Sequence, residues 1–128
     1  MEYKGEACAL IRANRERFGA YNLEVAEGRA PAALAELPAP DGVFIGGSEG
    51  ELIPILEAAL SRNPAARFCV TAIAVETLGV AVAAFTQLEM SPQITQITVA
   101  RSRRAGERNL MLGQNPVWIV TGQKEALL

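Results

Sequence analysis

The side chains able to do chemistry in this chain of 128 residues are carboxylates, arginines and backbone amides freed by glycine, because the sequence contains no histidine. That absence removes Ser-His-Asp and Cys-His catalysis, together with the commonest zinc ligand. The two cysteines, Cys8 and Cys69, sit in apolar stretches without metal-ligand spacing, which reads as buried free thiols in a reducing compartment. Four groups then stand out. Gly46-Gly47-Ser48-Glu49-Gly50 follows an apolar run, where glycines let a ligand approach the backbone and free amides for an anion. A tight strand-to-helix turn is the equal alternative, and no phosphate-loop ending in Lys-Ser/Thr is present. Glu2 is by itself a solvated charge. Glu27-Gly28-Arg29-Ala30-Pro31 either walls an adenine pocket through the Arg29 and Ala30 backbone or is a plain strand-end turn. Arg101, Arg103, Arg104 and Arg108 form either a solvated surface or a site for a polycarboxylate, whose oxygens guanidinium groups match bidentately.

These residues need elements to position them. Residues 6–18 place Ala7, Leu10, Ile11, Asn14 and Phe18 at helical spacing, and Gly19 ends that helix. Residues 22–26 alternate as a short strand, and Pro31 opens a brief helix through Leu37. Residues 43–45 are wholly apolar, as in a parallel strand buried on both faces. A helix over 51–62 follows, with Pro54 tolerated in its first turn, then a buried strand over 68–73. The next helix, 75–88, turns Val75, Leu78, Val82 and Phe85 inward. A longer strand over 94–99, a polar loop over 101–109 and a strand over 117–121 close the chain, the two strands reading as an antiparallel pair. The order predicts a three-layer α/β fold with a mostly parallel sheet and an antiparallel edge. Ligands of such sheets bind beyond the carboxyl ends of the strands, where Glu2, residues 27–30, 46–50 and 71–74 fall.

Half of the residues are apolar and the formal charge is -2, which fits one compact domain and argues against a nucleic-acid partner. No run is long enough to span a membrane, and the charged start has no signal-peptide core, so the expected location is cytoplasmic.

Several ordered segments carry a resemblance: DGVFIGGS at 41–48 with ELIPIL at 51–56, VTAI at 70–73 with ETL at 76–78, ITQITVARSR at 94–103, and NPVWIVTG at 115–122. Together they are similar to the precorrin-6Y decarboxylating methyltransferase family, which occurs alone or as the carboxyl-terminal half of a larger enzyme. The resemblance implies the Rossmann-like class I fold, S-adenosylmethionine as methyl donor, homo-oligomers, and methylation with decarboxylation of a late tetrapyrrole in cobalamin synthesis. It implies cofactor contacts from Glu2, Arg29, Ala30, Gly46 and Gly47, with Glu2 on the ribose hydroxyls, and a substrate side formed by Ser48, Glu49, Thr71, Arg101 and Arg103. No residue is singled out as catalytic and no metal is implied. Arg29 and Glu49 depart from the family's usual small or acidic residue and glycine, respectively. The family's first strand and glycine-rich turn have no counterpart, so residues 1–128 are expected to form a partial, N-terminally truncated domain with impaired cofactor binding. Two other readings stay open: a non-catalytic partner subunit using an exposed sheet edge, and a class I methyltransferase for another small acceptor.

Overall fold

The computed structural model describes residues 1–48 and 50–125. Its elements are α1 (Gly5–Phe18), a short 3₁₀ turn (Ala32–Glu36), β1 (Gly42–Ile45), α2 (Leu52–Arg62), β2 (Arg67–Ala72), α3 (Val75–Gln87), β3 (Gln93–Ile97), β4 (Ala100–Ala105), β5 (Arg108–Gly113) and β6 (Val117–Gly122). One sheet has the order β1-β2-β6-β3, and β4 pairs with β5 in a separate two-stranded sheet. β1 and β2 are parallel, while β6 runs antiparallel to both β2 and β3. Three of the four strands therefore point one way, and the opposed strand lies one place in from the edge. This is the α/β arrangement expected from the alternation of helices and strands.

The register explains the core. Val43 and Ile45 pair with Phe68 and Val70, and Phe68 and Val70 pair with Gly122 and Val120, so these residues share one sheet face. α2 and α3 pack together, and α3 lies against β2 and β6 on that face. Leu52, Leu56, Phe68, Val70, Ala81, Ala84, Phe85, Met90 and Val120 are buried there. Phe68 and Phe85 meet edge to face at 6.5 Å between ring centroids, an arrangement the ring quadrupoles favour. Pro54 sits in the first turn of α2, where its missing N–H has no helical acceptor to lose. Gly19 ends α1 in the left-handed conformation, its N–H donating to the Arg15 and Glu16 carbonyls.

Five expectations are corrected. Residues 22–26 form no strand; their neighbourhood contributes only an isolated parallel bridge between Glu2 and Glu27, because one residue is all the partner backbone they meet. β1 is not buried on both faces, since Phe44 points away from the helices and is 69% exposed. α1 turns Cys8 and Ile11 inward and leaves Leu10 and Phe18 exposed. α3 buries Ala81, Ala84 and Phe85 but exposes Val75, so its inner stripe is shifted and narrower. The strand over 94–99 is instead β3, ending at Ile97, and the polar loop over 101–109 is the β4–β5 hairpin turning at Gly106. Polar composition hid that hairpin: every residue of both strands is exposed, so no apolar face marks its period. Both cysteines are free, Cys8 buried and Cys69 half-buried. Among the described residues, no helix is long and apolar enough to cross a membrane.

Candidate functional site

The amino terminus is joined to residues 26–28 by a pair of backbone hydrogen bonds. Glu2 N–H donates to the Ala26 carbonyl at 3.1 Å, and Gly28 N–H donates to the Glu2 carbonyl at 3.0 Å. Two residues on, the Glu2 carboxylate folds back over the start of α1, with Oε1 accepting the amides of Tyr3 and Lys4 at 2.9 Å each. The Lys4 amide is the main reason that the Glu2 pKa lies below its ordinary 4.5; burial opposes it, and the Tyr3 amide and Lys4 charge reinforce it. The result is a carboxylate favoured in its ionised form, with Oε1 anchored by two amides.

Residues 28–30 form the adjoining wall. A Cβ on Gly28 would lie 2.7 Å from Ala33 Cβ, so this glycine is required by packing against the 3₁₀ turn. The Arg29 guanidinium stacks on the Tyr3 ring, 4.4 Å from its centroid, which joins the two segments by a cation–π contact. Arg12 and Glu27 add an exposed ion pair at 3.3 Å, of a kind that contributes little to stability. Arg62, at the end of α2, donates to the Ala35 carbonyl at 2.7 Å and secures the far side of the 3₁₀ turn.

The glycine loop beyond β1 behaves differently. A Cβ on Gly47 would meet nothing within 4 Å, and one on Gly46 only the Phe44 ring at 3.6 Å. Neither has a positive φ; in this loop that conformation falls to Gly50, at φ 87°. Folding therefore makes no demand for glycine at 46 and 47, whereas it does at 28 and 50.

These pieces face one another across a cavity of about 680 Å³ that runs along β1 and the loop after it, from Gly42 to Ser48. Glu2, Arg29, Ala30, Gly46, Gly47 and Ser48 all line it. Thr71, Arg101 and Arg103 do not: Thr71 is half-buried in β2 opposite Ile119, and the two arginines stand on the hairpin. Glu49 lies outside the described residues. Tyr3, Lys4 and Phe44 also line the cavity and were not singled out from the sequence. Tyr3 had a usable signal, as an aromatic next to Glu2, but only the fold brings Arg29 over it. An anchored carboxylate, backbone accessible at two glycines and a trough of mixed polar and apolar lining suit a nucleoside-bearing ligand, with the carboxylate accepting hydroxyl hydrogen bonds.

The sequence profile described as "Precorrin methyltransferase domain" matches residues 1–124. The probable cobalt-precorrin-6B C(15)-methyltransferase (decarboxylating) of Pyrobaculum calidifontis is 38% identical over 122 residues, covering 94% of this chain and 63% of that protein. Its counterpart from Methanothermobacter thermautotrophicus is 35% identical over 117 residues, covering 90% of this chain and 61% of that protein. Among solved structures, a precorrin-6y C5,15-methyltransferase from Geobacter metallireducens superposes with a TM-score of 0.87 at 32% identity, covering 96% of this chain and 64% of that one. A SAM-dependent O-methyltransferase from Thermotoga maritima, 10% identical, superposes with a TM-score of 0.68 over 99% of this chain and 50% of that one, a likeness of fold alone. The chain thus spans a little over three-fifths of the length of these curated relatives.

Proposed function

The chain belongs to the precorrin methyltransferase family, and on that premise we propose that it binds S-adenosylmethionine at the carboxyl end of β1. The whole protein, in this reading, methylates and decarboxylates a precorrin-6 type tetrapyrrole in cobalamin biosynthesis. The observation that carries the reading is the convergence of Glu2, Arg29, Ala30, Gly46 and Gly47 on a single cavity, from three stretches far apart in sequence.

S-adenosylmethionine supplies, when bound, an electrophilic methyl group on a positively charged sulfur. The chain's own residues hold and orient. Glu2 Oε2 would accept the ribose hydroxyls, its partner oxygen being fixed by Tyr3 and Lys4. The Arg29 and Ala30 backbone would lie against the adenine, and Gly46 and Gly47 would let the loop backbone approach closely. Ser48, Glu49, Thr71, Arg101 and Arg103 are assigned to the tetrapyrrole side. None of these is assigned as an acid or base. Alignment of an electron-rich substrate carbon with the donor supplies the acceleration without proton transfer by imidazole or thiolate. In the decarboxylation, the electron pair released with carbon dioxide enters the substrate's own conjugated ring and a proton from water completes the new methyl group, so the protein's part is to hold the departing carboxylate in a less hydrated place. We assign the protein to the cytoplasm, in keeping with its two free thiols. A homo-oligomer is assigned with it, for which exposed Ile94 and Ile97 on edge strand β3 offer apolar surface.

The test is incubation with methyl-tritiated S-adenosylmethionine and a precorrin-6 type substrate. Label in the macrocycle together with released carbon dioxide is the expected result. Label passing only to some other small acceptor, or to none, would overturn the proposal.

A further inference from the structure

The stack of Arg29 on Tyr3 lies on the cavity side of the join between the amino terminus and residues 26–28. Tyr3 and Arg29 both line the cavity, whereas neither residue of the Arg12–Glu27 ion pair does. The Arg29 guanidinium is 4.4 Å from the Tyr3 ring centroid, and Lys4 Nζ is 5.8 Å from it. Two cations and an aromatic ring thus gather at the end of the cavity that holds Glu2. The backbone beneath Arg29 is fixed as well, since its carbonyl accepts the Ala33 amide at 3.0 Å and the preceding Gly28 amide donates to Glu2 at 3.0 Å. With its backbone held on one segment and its guanidinium on the other, the Arg29 side chain crosses the gap between them.

A nucleoside held with its ribose at Glu2 and its base against residues 29 and 30 would bridge the same gap, and its base would lie beside that side chain. A guanidinium carries five N–H donors, no acceptor and a permanent charge, whichever way it turns. The Lys4 ammonium is likewise a donor without an acceptor. The carboxylate at this end, Glu2, already accepts two amides through Oε1 and is given to the ribose. The charged side chains left beside the base are therefore donors. A purine meets such a site according to its 6-substituent. A 6-amino group donates and finds no partner in a guanidinium. A 6-oxo group accepts, and arginine spans O6 and N7 bidentately, whereas glutamine and asparagine span N6 and N7 of adenine. Stacking on Tyr3 holds the guanidinium in place and leaves its charge intact.

The geometry points to Arg29 as the residue that sets base specificity, with Tyr3 as its positioning residue, in a nucleoside site that takes a 6-oxopurine at least as readily as adenine. The inference rests on the cofactor reading proposed above and adds to it a role for the Arg29 side chain and for Tyr3. S-adenosylhomocysteine and S-inosylhomocysteine, which carry an amino and an oxo group respectively at C6 of the purine, are the probes, titrated calorimetrically against the 128-residue chain and its variants. The wild-type chain should bind the inosyl compound at least as tightly as the adenosyl one. Arg29→Gln, whose amide carbonyl can accept from the 6-amino group, should turn the preference toward the adenosyl compound by about tenfold, as the exchange of one bidentate base contact does. Tyr3→Phe keeps the ring and should keep the wild-type ratio, while Tyr3→Leu should move the ratio toward the adenosyl compound. A wild-type preference of about tenfold for the adenosyl compound, unchanged in Arg29→Gln, would overturn the base assignment while leaving the cofactor reading in place. A lowered thermal midpoint in Arg29→Gln with an unchanged ratio would also overturn it, by making the stack a support of the fold alone. Binding of neither compound would overturn the cofactor reading and this inference together.

Discussion

Glu2 and Glu27, twenty-five positions apart, are joined by a single parallel bridge through which the backbone at Glu2 both donates to Ala26 and accepts from Gly28. That bridge sets the anchored carboxylate of Glu2 beside the Arg29–Ala30 wall, and the proposed cofactor site depends on it.

Glu2→Gln keeps the shape of the side chain but removes its charge. Hydrogen bonds to a charged group contribute about 1.5–3 kcal/mol, so affinity for S-adenosylhomocysteine should fall roughly tenfold to a hundredfold by calorimetric titration. An unchanged affinity would remove Glu2 from the site.

The same carboxylate fixes a pH dependence. Its folded pKa is lowered from 4.5, first by the Lys4 amide, so the stability it contributes is fully present above 4.5 and is lost as pH falls through the lower folded value. Cofactor binding should follow the same course, persisting below the ordinary glutamate range. Observing the Glu2 carboxyl carbon by NMR across an acid titration checks this; a midpoint above 4.5 would contradict it.

Two glycines should respond oppositely to alanine. A Cβ on Gly122 would lie 2.7 Å from Phe85 Cδ2, in the core, and overpacking of this kind costs about 1–3 kcal/mol. Gly122→Ala should therefore lower the thermal midpoint. Gly47→Ala has open space for its methyl group, so it should leave the midpoint unchanged while weakening cofactor binding. Thermal unfolding followed by circular dichroism separates the two, and equal destabilisation would mean that Gly47 serves the fold.

Much of this arrangement was legible in the sequence because period and punctuation agreed. Gly19, Pro54 and the apolar runs at 43–45 and 68–73 marked their elements within a residue or two, although Ile73 falls beyond β2 and is exposed. The failures share one cause, which is that solvent exposure is decided by neighbours distant in the chain. Phe44 reads as core, yet its face of β1 meets no helix; Val75 fits the helical stripe, yet lies at the uncovered start of α3. The hairpin was unreadable for the complementary reason, since two wholly exposed strands carry no alternation of apolar and polar residues. For the site, Glu2, Arg29, Ala30, Gly46, Gly47 and Ser48 were named from resemblance and share one cavity. Tyr3 came to light only when its contact with Arg29 was seen.

The most direct test of the central claim is amide NMR of the chain during titration with S-adenosylhomocysteine. The account predicts that shifts concentrate at residues 2–4, 28–30 and 46–48, and that Glu2→Gln weakens the response at all three stretches together. No shifts at saturating ligand, or shifts centred on α3 and β3 with these three stretches silent, would contradict it.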